Sequence, residues 1–227
     1  MSLKVLFVTS TGTEAAALKK VQGMKLGKDN LNSGSLEIEL LTGGIGTMST
    51  AWNMTQWLAV NKKPDLAINA GIAGSYREEY PVGSVVMPVT DCFADAGIED
   101  GDNFMTLYEV GLAGKDDFPF RNGLLHSENS YGEELKEILN TVDAITVNTA
   151  TGSEKTKQHL IQKFNPGIET MEGAAFFYIC ARERIPFVAI RSVSNRVERR
   201  DRNNWNIPLA VDNLSLALEK VFKKLNR

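Results

Sequence analysis

Ile168-Glu-Thr-Met-Glu172-Gly-Ala-Ala-Phe-Phe-Tyr-Ile-Cys180-Ala-Arg-Glu-Arg-Ile-Pro-Phe187-Val-Ala-Ile-Arg191-Ser-Val-Ser-Asn195 decides how this chain is read. Glu172 opens a helix that is otherwise nearly all apolar. A strand follows from Phe187 to Val193 and carries Arg191 inside an apolar run. Asn195 falls just past the end of that strand. Burying Glu172 and Arg191 is costly unless each has a partner or a task. Ligands of open α/β sheets sit at the carboxyl ends of strands. One stretch thus brings a carboxylate, a guanidinium and an amide toward one such end.

Working outward, the chain alternates strands and helices. Lys4 to Val8 is β-rich, and Thr13 to Lys20 reads as a helix. Leu36 to Leu41 alternates apolar and charged residues, as a half-exposed strand does. Gly43-Gly44-Ile45-Gly46 is a turn into a helix from Thr47 to Val60. Leu66 to Ala70 is a buried strand ended by Gly71-Ile72-Ala73-Gly74, and Val85 to Val89 is another strand. Residues 93–123 are glycine-rich and acidic, and read as an excursion or lid. Glu133 to Leu139 suggests a helix, Ala144 to Val147 a strand, and Thr151 to Lys163 a polar, partly helical stretch. The last helix begins near Pro208, with Leu214, Leu218, Val221, Phe222 and Leu225 on one face. Trp52, Trp57 and Trp205 are core candidates. This interleaving implies an α/β sandwich around a largely parallel or mixed sheet.

Composition narrows the function. Hydrophobic residues make up 43% and charged residues 23% of 227 positions, as in soluble globular chains. The net charge is −3, and Glu198 and Asp201 break the arginine run at 196–202, which argues against nucleic-acid binding. No apolar run reaches membrane-spanning length, and the first nine residues lack a signal-peptide pattern. Cys92 and Cys180 both lie in apolar surroundings, as buried thiols of a reducing compartment do, so a cytoplasmic protein is expected. His126 and His159 have no ligand-spaced neighbours, so no metal is expected, nor a Ser-His-Asp arrangement.

Several motifs have two readings. Thr11-x-x-Glu14 is a capping box, or else a carboxylate held at a strand end to orient a water. The Gly43–Gly46 turn is a tight strand-to-helix connection, or a weak phosphate cradle. Asn69-Ala-Gly-Ile-Ala-Gly74 either packs closely against a helix or lets a flat ligand approach the backbone. Asn195 is a turn residue or a base reader.

Taken in order, Thr-Glu after the first strand, Gly-Ile-Gly, Asn-Ala-Gly-Ile-Ala-Gly, Met-Glu-Gly-Ala-Ala and Arg-Ser-Val-Ser-Asn resemble the nucleoside phosphorylase and nucleosidase superfamily. The likeness runs from about Lys4 to Ala210 and is closest to the methylthioadenosine/S-adenosylhomocysteine nucleosidases. Within that group, Ser194-Asn-Arg-Val-Glu-x-Arg-Asp-x-x-x-Trp205 is most similar to the futalosine hydrolase family of an alternative menaquinone pathway. The resemblance implies a single domain over residues 1–227, a three-layer α/β/α sandwich with a mixed, twisted central sheet. It implies that Glu14 activates the attacking water, that Glu172 binds the ribose hydroxyls, and that Arg191 lies near both. Ile72, Ala73, Gly74, Thr149 and Met171 are implied to line the substrate. It further implies a homodimer, no cofactor and a small nucleoside as the partner.

Asn195 departs from the aspartate of the methylthioadenosine enzymes. A 6-oxopurine offers two acceptors, O6 and N7, where adenine offers a donor and an acceptor, and an Asn amide can donate there. It is a poor proton source, which leaves Asp201 as a candidate. Phosphorolysis needs an anion pocket, and only Arg191 remains for one in the core motifs, so water is the expected nucleophile. The alternatives are a methylthioadenosine nucleosidase, a purine nucleoside phosphorylase and a non-catalytic purine sensor.

Overall fold

Alternation along the first strand sets the layers. In a computed structural model, which describes residues 2–21, 25–26, 30–33, 35–101 and 103–226, Leu3–Thr9 forms strand β1. Val5 and Phe7 point into one apolar cluster, and Leu6 and Val8 into another. A strand with both faces apolar must lie in the middle of a sheet covered on both sides. It does. Helix α1 (Gly12–Lys19) is followed by the short strands β2 (Lys25–Leu26) and β3 (Asn30–Ser33), then β4 (Leu36–Thr42) and α2 (Thr47–Val60). Next come β5 (Leu66–Ser75), β6 (Val85–Asp91), the hairpin β7 (Gly97–Asp100) and β8 (Asn103–Thr106), and β9 (Leu125–His126). The chain ends with α3 (Ser130–Leu135), β10 (Asn140–Thr146), α4 (Glu154–Phe164), β11 (Ile168–Thr170), α5 (Gly173–Glu183), β12 (Phe187–Arg196) and α6 (Ile207–Leu225).

The main sheet runs β11-β10-β6-β12-β5-β1-β4-β3-β2, with β9 on β6. It is mixed: β4, β1, β5 and β12 are mutually parallel, while β6 runs antiparallel to β12. The far end of β5 also pairs with β11, antiparallel, at Ile168–Ser75 and Glu169–Gly74. Strands β5, β12, β6, β10 and β11 therefore close into a small barrel at one end of an open sheet. One layer of helices holds α1, α3 and α6, whose Leu214, Leu218, Val221, Phe222 and Leu225 are all buried, as the sequence predicts. The other holds α2 and α5, where Phe176, Phe177 and Phe187 stack with ring centroids 4.7 to 6.3 Å apart. The α/β/α sandwich with a mixed sheet is as expected.

Four local expectations are corrected. Strand β5 does not stop at the Gly71–Gly74 stretch but runs through it to Ser75, because the glycines let it bend across to β11. Strand β12 likewise runs to Arg196, with an irregularity between Val193 and Asn195, so Asn195 lies within the strand. Helix α3 covers 130–135 rather than 133–139, because Asn129 caps it by accepting from the Gly132 amide at 3.0 Å. Trp52 is 64% exposed and not core, whereas Trp57 is half-buried and donates to Glu39 at 2.6 Å. The 93–123 excursion carries the β7–β8 hairpin, of which β7 is exposed throughout, and its Phe120 packs on Tyr178 of α5.

Candidate active site

Parallel strands β4, β1, β5 and β12 lie side by side, so their carboxyl ends open on one place. Glu14 reaches it from the first turn of α1. The Thr11–Glu14 motif is a capping box, and the same carboxylate also reaches the neighbouring strand. Its Oε2 accepts from the amides of Ser10 (3.2 Å) and Thr11 (3.0 Å) and from the Thr11 hydroxyl, completing the capping box. Its Oε1 accepts from the Ile72 amide of β5 at 2.9 Å. A carboxylate offers roughly four lone-pair directions. Oε2 is saturated, and Oε1 retains one for a further donor. A Cβ at position 71 would collide with Oε1, so Gly71 is what lets the carboxylate lie against β5. That Gly makes room for a side chain, not for a flat ligand.

Arg191 follows from strand alternation. Phe187 and Ala189 face the α5 layer, so Arg191 does too. It is 2% exposed, beside Gly71 in the parallel register. Its guanidinium donates to the Asn69 carbonyl (2.8 Å), the Ile190 carbonyl (3.1 Å) and the Asn69 side-chain oxygen. The Asn69 amide nitrogen in turn donates to the Val8 carbonyl at 3.0 Å. Burial pulls the Arg191 pKa down, and Glu172, Glu14 and Asp91 oppose that pull. Asn69 was visible in its motif but carried no assigned role, because a strand Asn between apolar residues has no signature of its own.

Glu172 is the N-cap residue of α5, and its side chain caps nothing. It turns instead to the β4–α2 turn, where Oε1 accepts from the Gly46 amide at 2.8 Å. Gly46 has φ +87° and ψ 165°, a conformation essentially confined to glycine, which aims this amide. The glycine-rich turn thus holds a carboxylate of the protein itself. Burial raises the Glu172 pKa, the Gly46 amide and Arg191 counter it, and Glu14 adds to it.

Asn195 pairs with Gly74 across β12 and β5. Its Nδ2 donates to the Arg196 carbonyl (2.9 Å), which fixes the amide orientation, since a carbonyl only accepts. Its Oδ1 accepts from the Ser194 hydroxyl at 2.7 Å. One N–H and one lone pair remain, not two donors. Gly74 makes room for this amide: a Cβ there would meet Asn195 Nδ2 at 3.3 Å and Val197 at 2.9 Å. Ile72, Ala73 and Gly74 line β5 between the two polar ends, and Met171 is half-buried beside Glu172. Thr149 is exposed in a loop tied on both sides: Asn148 accepts from Thr47 at 2.7 Å, and the Thr151 amide donates to buried Glu169 at 2.9 Å. Asp201 is exposed and accepts from the Asn203 amide at 2.9 Å, in a local turn.

Asp91 was not singled out in the sequence. It ends β6, is 1% exposed, and faces the same charges; burial raises its pKa to about 7, while Thr146, Arg191 and the Cys92 amide resist. One cation therefore serves a buried group that includes Glu14, Glu172 and Asp91. Two surface cavities lie elsewhere, the larger, of about 620 Å³, beside Phe118 and Phe187 near the start of β12. Neither of these two touches the carboxylates.

Residues 4–227 match the phosphorylase superfamily. A futalosine hydrolase from Streptomyces coelicolor is 30% identical over 189 residues, spanning 81% of this chain and 77% of that protein. One from Acidothermus cellulolyticus is 30% identical over 225 residues, 96% of this chain and 89% of its own. The solved 5′-methylthioadenosine/S-adenosylhomocysteine nucleosidase of S. pneumoniae, bound to a transition-state inhibitor, superposes with a TM-score of 0.81 at 19% identity, over 98% of this chain and 100% of that one.

Proposed function

Since the chain belongs to the phosphorylase superfamily, we propose that it is an N-ribosyl hydrolase that splits a 6-oxopurine nucleoside such as futalosine with water. The observation that carries this reading is where the site's backbone amides point. Ser10, Thr11, Ile72 and Gly46 each donate to Glu14 or Glu172. In a phosphorylase such amides would hold phosphate. Here protein carboxylates fill them, and their charge repels an anion. Water is the nucleophile left.

The free lone pair of Glu14 Oε1 accepts a hydrogen bond from that water. As the C1′–N bond of the sugar lengthens, the ribose takes on oxocarbenium character. The water oxygen bonds to C1′, its proton passes to Glu14, and the bond's electron pair leaves with the purine. Glu172, held by Gly46, binds the ribose hydroxyls, and the paired negative charge stabilises the cationic sugar. Asn195 donates its remaining N–H to the departing base, which takes its proton from solvent. A 6-oxopurine anion spreads charge onto O6 and departs without the proton that adenine needs at N7. This is the physical reason for preferring a 6-oxopurine.

Ile45, Met48 and Trp52 are 62%, 84% and 64% exposed around the start of α2, next to Gly46. A contiguous apolar patch of this kind marks an interface, and it supports a homodimer formed beside the site. The buried, unpaired thiols of Cys92 and Cys180 support a cytoplasmic setting, and a futalosine substrate supports a role in menaquinone synthesis. Base release from futalosine, inosine and methylthioadenosine, with and without phosphate, is the test. A strict phosphate requirement, or faster release of adenine, overturns the reading.

A further inference from the structure

The start of α5 poses a question that the chemistry above leaves open. A helix begins with four backbone amides that lack partners, and the N-cap side chain ordinarily serves one of them. Glu172 occupies the N-cap and does not. Two of the amides are nevertheless served. The Gly173 amide donates to Thr170 Oγ1 at 3.2 Å, and the Ala174 amide donates to Thr146 Oγ1 at 2.7 Å. Thr146 in turn donates its hydroxyl proton to Asp91 Oδ1 at 2.9 Å, so Thr170, 3.2 Å from Thr146, donates to it. The Cys92 amide fixes the same Asp91 oxygen at 2.8 Å. Every bond in this chain points toward the Asp91 carboxylate.

The placement has its own sequence requirement. Asp91, Thr146 and Thr170 are the last residues of β6, β10 and β11, so three adjacent strand ends deliver them to one helix. A Cβ at position 173 would collide with the other Asp91 oxygen and come within 2.9 Å of Thr170 Oγ1. Gly173 is thus the opening through which a buried carboxylate meets the first turn of α5. A negative charge is favoured at that end of a helix.

We propose that Asp91, Thr146 and Thr170 cap α5 in place of its own N-cap residue, and are positioning residues that release the Glu172 carboxylate for the sugar. Were these three absent, Glu172 would be the nearest acceptor for the free amides and would fold back onto them, away from Gly46. The inference rests on the reading of Glu172 as a sugar-binding group.

The test is a double-mutant cycle on purine release. Thr146→Val keeps the shape and removes the hydroxyl, Thr146→Ser restores it, and Asp91→Asn removes the charge. Thr146→Val and Asp91→Asn should each lower kcat/KM by about tenfold or more, the scale of a misplaced catalytic group, with Thr146→Ser near wild type. In a Glu172→Gln background the same changes should have little further effect. An equal loss in both backgrounds, or no loss in the first, overturns the proposal. Hydrogen exchange at the amides of residues 173 and 174 is read alongside and needs no substrate. It should rise about tenfold or more in Thr146→Val, and unchanged exchange overturns the capping even if the substrate assignment fails.

Discussion

A single side chain here completes a helix cap and ties that helix to the neighbouring strand. Glu14 caps α1 with one oxygen and faces β5 with the other. Glu14→Gln keeps a carbonyl oxygen for the cap but is no base. It should lower kcat by ~10²–10⁴-fold, the usual worth of a general base, and, because its NH2 then faces the Ile72 amide, it should also lower the melting temperature. Near-normal turnover would leave the cap as its whole role. Asn195→Asp should move the kcat/KM ratio of matched adenine and hypoxanthine nucleosides toward adenine by ~1–3 kcal/mol, the scale of one buried polar mismatch. An unmoved ratio would mean that Asn195 does not read the base. Asp91 gives a pH signature. Its pKa is about 7 in the fold against 3.8 for an ordinary aspartate, so the folded state holds more protons between those values. Its stabilisation is complete below about pH 4 and is lost as pH rises through about 7. Glu172 titrates in the same sense, and Arg191 opposes both shifts. Melting curves from acid to neutral pH should therefore fall less for Asp91→Asn than for wild type. Parallel curves would show that Asp91 does not titrate in this range.

At the scale of elements, strength of pattern decided what could be read. Helix α2 matches its expected bounds, Thr47 to Val60, and α6 shows its expected apolar face, because each has a long periodic run. Glu172 and Arg191 were legible as charges out of place among apolar residues, whereas Glu14 read equally as a cap and Asn195 as a turn residue, and only the order of the family motifs set them beside the other two. Asp91 and Asn69 were not legible. Each gets its meaning from a partner on another strand, Thr146 and Arg191, and no local spacing encodes that. The glycines of β5 were read as a stop because turn and bend share one composition. Only the pairing with β11 tells them apart. Helix α5 joins site to core: Glu172 precedes it, and Phe176 and Phe177 pack against Phe187. Phe177→Ala should cost about 3–5 kcal/mol by cavity formation, seen as a lower midpoint in chemical denaturation. A loss under 1 kcal/mol, far below that range, would show that the layer repacks freely.

For the whole molecule, the exposed apolar side chains of Ile45, Met48 and Trp52 begin one residue before the Gly46 amide that holds Glu172 and continue into the first turns of α2. Association there would stiffen the turn that aims it. Light scattering at micromolar concentration should give a dimer, and Trp52→Glu should give a monomer with reduced activity. A fully active wild-type monomer would count against this arrangement. The order of the sheet has one more consequence, for synthesis. Strand β12 is the last to be made, yet it is inserted between β5 and β6. Until Phe187 to Arg196 leaves the ribosome, both of those strands present bare edges to other chains, the usual starting point of aggregation. The same late segment delivers Arg191 and Asn195. A growing chain is thus at its stickiest in the interval between the emergence of β6 and that of β12, just before it can first become active.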